Sequence, residues 1–443
     1  SARRYEVHMF LLSHMLKSFI RKGQLTVIDA EGKRHIFGGG EPGPQVTMRL
    51  TDPALYRSLV FKAEMVAGEA YMDGTMRFEE GSTLRDFLTL FSINRLSLGK
   101  YPIQKVLRAI KMPFRKFLQS NRKGEAQRHV AHHYDLGNDF YKLFLDDNML
   151  YSCAYFREPD ETLEQAQRNK LRLLAAKLNL KPGMKVLDIG CGWGDLALYL
   201  ARLEDVEVVG VTLSKEQHAL ATKRAADAGL SSRVRFELKD YRDVSEHFDR
   251  IVSVGMFEHV GVQHYDEFFK KLNALMPDDG VAVIHSIGHM SPPGMTGPWI
   301  RKYIFPGGYS PALSEVVSVT ERNSLWVTDI EVLRVHYATT LAHWGKRFEA
   351  NRDKVIAMYD ERFARMWEFY LISAEMTFRT GSQMVFHLQL SRKRDAAPIV
   401  RDYITDQQRL YIEKERSLGL GAQQPQLSLV AAQAEADTSS AGP

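Results

Sequence analysis

A chain of 443 residues is longer than one hydrophobic core usually spans, so two domains are the first expectation. Hydrophobic residues at 44% and charged residues at 26% are those of a soluble globular protein. The two cysteines, Cys153 and Cys191, exclude a disulfide framework and fit a reducing compartment. No uncharged apolar run approaches the roughly 20 residues that span a bilayer, and the net charge of +5 matters less than where it sits.

Residues 1 to about 120 read as a small α+β unit. The chain starts at Ser1 without a Met, so its true N-terminus is expected upstream. Residues 9–20 are apolar but short and contain His14 and Lys17, which predicts an amphipathic helix rather than a signal peptide. Short strands are expected at 23–28, 33–38 and 45–50, and helices at 52–63, 65–72 and 83–93. Residues 95–123 then carry nine Lys or Arg and no Asp or Glu. Ile103, Val106, Leu107 and Ile110 recur there at helical spacing among Lys105, Arg108 and Lys111. Such a segment suits an anionic membrane surface, or equally a connecting helix whose apolar face is core. Nucleic acid is not expected, since no recognition motif accompanies the charge.

A second unit begins near His129. Thr162-Leu163-Glu164-Gln165 opens a helix with a capping box, Leu171, Leu174, Ala175 and Leu178 form its buried stripe, and Lys181-Pro182-Gly183 stops it. Strands expected at 184–189, 206–212, 233–238, 248–254 and 280–285 alternate with helices at 195–203, 215–228 and 265–275. This alternation implies a parallel sheet covered on both faces, with ligands at the carboxyl ends of its strands. The chemistry should therefore sit just after Ile189, Thr212, Leu238, Val254 and His285. From about 418 the composition predicts a disordered tail.

The first of those strand ends carries the strongest motif. Val186-Leu187-Asp188-Ile189 runs into Gly190-Cys191-Gly192-Trp193-Gly194, then into an apolar helical run. Glycines let the backbone turn sharply and approach a bulky ligand, and the free N–H groups of the following helix point at it. The spacing is G-x-G-x-G after D-I-G, with no phosphate-gripping Lys, and it resembles motif I of S-adenosylmethionine-dependent methyltransferases. After the second strand, Thr212 and Leu213 stand where many such enzymes have an acid for the ribose. Ser214-Lys215-Glu216-Gln217 is a capping box as it stands, which gives Gln217 a purely structural reading. Asp240, beside Tyr241, suits an adenine amino group or a solvated loop. Glu258, between Phe257 and His259, is poorly placed for solubility alone, and His285 ends a strand. His132-His133-Tyr134-Asp135 has no second ligand set with suitable spacing, so no metal is expected. Cys153 reads as a small buried thiol rather than a nucleophile.

Eight stretches together resemble the cyclopropane fatty acid synthase family. They are Y-D-L-G-N-D-F-Y at 134–141, M-L-Y-S-C-A-Y-F at 149–156, K-V-L-D-I-G-C-G-W-G at 185–194 and V-G-V-T-L-S-K-E-Q at 209–217. I-V-S-V-G-M-F-E-H-V-G at 251–261, I-H-S-I-G at 284–288, P-W-I-R-K-Y-I-F-P-G-G at 298–308 and H-Y-A-T-T-L at 336–341 complete the set. The resemblance implies a doubly wound, mostly parallel, Rossmann-like α/β methyltransferase sheet with a small N-terminal α+β lipid-binding-type domain. The expected limits are 1–122 for that domain and its basic linker, 123–395 for the catalytic domain, and 396–443 for a C-terminal helix and tail.

The resemblance also implies roles. Tyr151, Ser152, Asp188, Gly190, Gly192, Gly194, Thr212, Leu213, Gln217, Asp240 and Tyr241 would form the S-adenosylmethionine site. Cys153, Glu258, His285, Ile287 and Tyr337 match the pocket that holds a bicarbonate ion as general base. Ala374 stands where some members carry a cysteine, so no thiol acts there. The implied reaction is methylene transfer to the cis double bond of an unsaturated acyl chain in membrane phospholipid, through a carbocation. Trp299, Tyr303, Phe305 and Tyr337 are the aromatic candidates to stabilise that cation. A homodimer, cytoplasmic and peripheral on the inner face of the cell membrane, completes the expectation. The alternatives are a fatty-acyl methyltransferase that stops before ring closure, a lipid-binding protein with a relic cofactor site, and a small-molecule N-methyltransferase.

Overall fold

The computed structural model describes residues 2–98 and 136–420. Most of the basic segment 95–123, with Lys105, Arg108 and Lys111, lies outside the described residues, as do His132, His133, Asp135 and the expected tail from 421.

The N-terminal unit holds a four-stranded sheet of order β2-β1-β3-β4, with β1 Lys22–Ile28, β2 Arg34–Gly38, β3 Glu41–Leu50 and β4 Met76–Glu79. The expected strands are present, and β4 is added to them. Helix Ala2–Phe19 buries Met9, Leu12, Met15, Leu16 and Phe19, the periodic side of the expected amphipathic segment. The two helices expected at 52–63 and 65–72 are present as the two halves of Ala54–Met72, joined across a kink at Lys62 (φ −138°, ψ 41°). No Pro or Gly stands between the two halves to stop the helix, so it resumes after one distorted residue.

The second unit is built on a seven-stranded sheet. Its strands are β5 Lys185–Ile189, β6 Glu207–Thr212, β7 Val234–Leu238, β8 Arg250–Val254, β9 Val281–His289, β10 Trp326–Val332 and β11 Gln383–Ser391, in the order β10-β11-β9-β8-β5-β6-β7. β5 through β9 pair in parallel, and β11 lies antiparallel between β9 and β10. The expected doubly wound, mostly parallel sheet is present. β9 runs past its expected end at 285 to His289, because β11 pairs along it from Ser391↔Val281 to Gln383↔His289. Alternate residues of the strands feed two cores. Val186, Val208, Val252 and Val283 pack with Leu171, Leu174 and Leu198 on one face. Leu187, Val209, Ile251 and Ala282 pack with Phe268, Phe269 and Leu272 on the other. A strand buried on both faces is a continuous apolar run, which is why these strands are legible from composition.

The two units are latched together. A Cβ on Gly68 would stand 2.3 Å from the Trp299 Nε1, so helix Ala54–Met72 lies directly against that indole. Tyr71 donates to Glu368 at 2.7 Å, and Tyr303 and Lys302 both donate to Glu69. Helix Tyr403–Ser417 returns to the catalytic sheet's side, where Glu415 accepts from Arg172 at 2.6 Å and from Tyr199 at 2.6 Å.

Candidate active site

One cavity opens at the carboxyl ends of β5, β6, β7 and β8, where the topology places it. Gly190, Gly192 and Gly194 all have positive φ, at 77°, 54° and 88°. Their reasons differ. A Cβ on Gly190 would lie 2.8 Å from Met256 Cβ, whereas one on Gly192 would meet nothing within 4 Å, because it points into the cavity. Gly194 does not line the cavity. It caps helix Asp195–Leu203, and a Cβ there would press to 2.6 Å from Phe236 and 2.9 Å from Ala221. Tyr151, Ser152, Asp188, Gly190, Gly192, Thr212, Leu213, Gln217, Asp240 and Tyr241 do line it.

The loop is held from beneath by Asn138 and Tyr141. Asn138 accepts from Trp193 Nε1 at 2.9 Å, and the Tyr141 ring stands 5.2 Å from the Trp193 ring. The opposite wall is made by a turn that Asp146 shapes, accepting from the backbone of Asn148 and of Leu150. Gln167 then fixes the segment by donating to the carbonyls of Leu150 and Ser152. Gln217 departs from the capping-box reading. Ser214 accepts from its backbone at 3.2 Å, but its side chain turns inward and accepts from the Thr212 hydroxyl at 2.8 Å. Asp240 is no solvated loop residue either. It is buried and gripped by Arg242, whose Nε and Nη2 donate at 2.9 and 2.7 Å.

The cavity carries charge without local compensation. Asp188 is fully enclosed and its Oδ2 has no partner; burial pushes its carboxyl up to about 7, against the pull of Lys170. That unsatisfied oxygen, with the Gly192 face open to the cavity, fits a bulky ligand with a polar, partly cationic end.

A second group sits beside it around β8 and β9. Glu258 is buried on a short 3-10 turn after β8, and its Oε1 accepts from the Ile287 N–H at 2.7 Å. Its Oε2 has no hydrogen-bond partner among the described residues, and the Ser286 hydroxyl, which donates to the Ile287 carbonyl at 2.9 Å, is near enough to favour the ionised carboxyl. Burial raises the Glu258 carboxyl to about 7, with the Ile287 N–H opposing. The Ile287 N–H is thus committed to Glu258. His285 Nδ1 lies 2.8 Å from His387 Nε2, and burial holds both imidazoles far below their usual range, so the pair is neutral. Tyr337 is buried close to Glu258, Cys153 and Tyr370. The Cys153 thiol is enclosed and pushed well up by burial, which rules out a thiolate, and its Sγ donates to the Ala154 carbonyl. Of the five residues expected around an anion, Glu258 and Ile287 are in direct contact and Tyr337 lies near Glu258 and Cys153, while His285 is paired with His387; none of the five lines the cavity itself.

The aromatic wall differs from the sequence expectation. Trp299 and Tyr303 serve the contact with the N-terminal unit, against Gly68 and Glu69. Phe305 instead faces Tyr370 at 5.7 Å, and Tyr370 shares a 3.0 Å hydrogen bond with Tyr151. Tyr337 packs on Phe378 at 4.7 Å and Trp344 at 5.8 Å. Tyr370, on helix Glu361–Thr380, was not singled out from the sequence, because nothing local distinguishes it from a core aromatic. Lys170 was also missed, though it left a signal. It stands one residue before Leu171 and four before Leu174, a charge inside the buried stripe.

Comparison with known proteins follows the same outline. Residues 121–388 match the family described as mycolic acid cyclopropane synthetase. The chain is 38% identical over 345 residues to the cyclopropane-fatty-acyl-phospholipid synthase of Escherichia coli K12, covering 78% of this chain and 87% of that one. It is 37% identical over 349 residues to a probable fatty acid methyltransferase of Pseudomonas putida, covering 77% and 85%. Among solved structures, a mycolic acid cyclopropane synthase complexed with SAH and CTAB superposes with a TM-score of 0.57 at 37% identity, covering 60% of this chain and 98% of that one.

Proposed function

The chain belongs to the cyclopropane fatty acid synthase family, and we propose that it transfers a methylene unit from S-adenosylmethionine to the cis double bond of a phospholipid acyl chain, closing a cyclopropane ring. It is accordingly an S-adenosylmethionine-dependent enzyme of the methyltransferase class. The carrying observation is that the glycine-lined cavity and the buried Glu258 group meet at one edge of the sheet.

S-Adenosylmethionine supplies an electrophilic methyl. Gly190 and Gly192 would admit it, Thr212, Leu213 and Gln217 would flank its ribose, and Asp240 and Tyr241 would lie at its base. An isolated alkene is a weak nucleophile, so Tyr151 and its neighbours must hold it in line within roughly 3–3.5 Å. Attack leaves a carbocation on the chain with no adjacent oxygen. The faces of Tyr337, Tyr370 and Phe305 can stabilise such a cation by roughly 2 kcal/mol when desolvated. The added methyl must then lose a proton, and water must be kept out or an alcohol results. A bicarbonate ion held by the Cys153 N–H, His285 and Tyr337 would supply the acceptor, with Glu258 orienting it. No acceptor among the described residues meets the Cys153 N–H, which leaves it available. One observation favours a second acceptor: Glu258 has a free oxygen and a carboxyl near 7, the range suited to a general base. Turnover that survives complete removal of bicarbonate assigns the proton to Glu258.

Membrane contact is part of the same proposal. Among the described residues no helix is long and apolar enough to cross a membrane. The N-terminal unit nonetheless leaves Phe10 69%, Ile36 62% and Val7 57% exposed, and Phe61 41%, on elements that pack together. Such a surface suits a peripheral protein, working as a homodimer at the inner face of the cell membrane, and the basic segment 95–123 would add to it. Expression in a host lacking such lipids tests the activity. A gain of one CH2 unit on unsaturated phospholipid chains, with ring protons by NMR, is the expected result. A methyl or methylene branch would make the chain a fatty-acyl methyltransferase that stops before ring closure.

A further inference from the structure

Helix Leu163–Leu178 carries two fully buried lysines, Lys170 and Lys177, two turns apart. Lys177 is conventionally compensated, with Glu331 at 2.7 Å and Asp329 at 3.3 Å. Lys170 is not. Among the described residues its one hydrogen-bond partner is the Ser152 hydroxyl at 2.7 Å, and no carboxylate pairs with it. Two of its N–H directions are unused, and it lines the same cavity as Ser152 and Asp188.

The groups around it come from every neighbouring element. Asp146 and Cys153 face it from the 142–156 segment, Asp188 from the end of β5, Asp195 from the first turn of helix Asp195–Leu203, and His285 and His387 from β9 and β11. Asp188 Oδ2 and Asp195 Oδ2 are buried without partners. Cation and carboxylates thus share one enclosed space and do not pair. Each isolated charge costs solvation there. An anion would relieve only the lysine and a cation only the aspartates; a zwitterion relieves both.

We propose that Lys170 and the Ser152 hydroxyl it holds form the seat for the α-carboxylate of an amino-acid group, with the α-ammonium of that group directed at Asp188. This rests on the cavity taking S-adenosylmethionine, whose amino-acid end is such a zwitterion. Lys170 would then be a binding residue of the site, and Ser152 would be fixed by it. Burial lowers the Lys170 ammonium to about 8, with Asp146 opposing most strongly.

Calorimetry with S-adenosylmethionine and decarboxylated S-adenosylmethionine separates this role from a structural one, since both ligands carry the ammonium and the sulfonium. The parent protein should prefer the carboxylated ligand. Lys170→Met should weaken that ligand by roughly 10- to 100-fold, the scale of hydrogen bonds to charged groups, and the decarboxylated one by less than about threefold. Equal weakening of both, or an unchanged preference, overturns the proposal. Should the variant not fold, Ser152→Ala gives the second reading: it should weaken S-adenosylmethionine several-fold and the decarboxylated ligand by less than about twofold, and an unchanged preference overturns the assignment. If the parent binds neither ligand, the cofactor reading itself fails, which is a different result.

Discussion

The N-terminal sheet and the carboxyl edge of the seven-stranded sheet handle charge in opposite ways. In the first, Arg34 pairs with Glu80 and Arg49 with Glu79 on the surface, and buried Asp29 is answered by His35 at 2.7 Å. In the second, Asp188, Glu258 and Lys170 are buried, and each has an oxygen or an N–H with no protein partner. The first pattern pairs these charges within the fold. The second gives up stability at sites where a ligand would restore it, which is the physical mark of function. The contrast can be broken by substitution on either side.

The largest effect is expected at the glycine loop. Gly192→Val sets a branched side chain at φ 54° and projects it into the cavity, where no protein atom lies within 4 Å of the added Cβ. S-Adenosylmethionine binding should be abolished in calorimetry, while the folded content by circular dichroism stays near that of the parent. Binding within a few-fold of the parent would remove the loop from the site.

Glu258→Gln comes next, and it should cut in two directions. Turnover should fall by roughly 10²-fold or more, the scale of general acid–base contributions, with cofactor affinity little changed. Stability should move the other way. The Glu258 carboxyl ionises near 4.5 when unfolded and near 7 in the fold, so the parent's stability falls as pH rises through that window. The amide has no such slope. The variant should therefore gain on the parent by up to about 3 kcal/mol between pH 4 and pH 8 in denaturant titrations. A variant less stable than the parent at pH 8 would show that the buried charge is compensated after all.

These two sites also show what a sequence can carry. The loop was legible because its glycines answer to local backbone geometry, and the strands before and after it because burial on two faces leaves unbroken apolar runs such as Val208 to Val211. Glu258 was noticed as a carboxylate between Phe257 and His259. Its commitment to the Ile287 N–H could not be, because that bond joins residues 29 apart through the pairing of β8 with β9. The capping reading of Gln217 was incomplete for a related reason. Ser214 and Gln217 satisfy the capping pattern locally, while the side chain of Gln217 is claimed by Thr212, a contact that exists only once β6 ends at the cavity. Strands β10 and β11 and helix Glu361–Thr380, which brings Tyr370 to the wall, follow the last expected strand and take their meaning from tertiary packing alone.

The smallest effect should come from the satisfied side of the contrast. The Arg34 guanidinium holds the Glu80 carboxyl down to about 2, a shift opposite in sign to that of Glu258. Whatever Glu80 contributes is present above its unfolded value near 4.5 and is lost as pH falls through about 2. Both side chains are 49% exposed, however, so water and salt screen the pair and the two long side chains lose freedom in holding it. Glu80→Gln should therefore shift the melting temperature at neutral pH by little more than its reproducibility, and not at all in high salt. Turnover should be unchanged. A large, salt-resistant loss would mean that this pair carries structural weight comparable to the buried groups. Burial without a partner would then no longer separate the functional edge of the molecule from its scaffold.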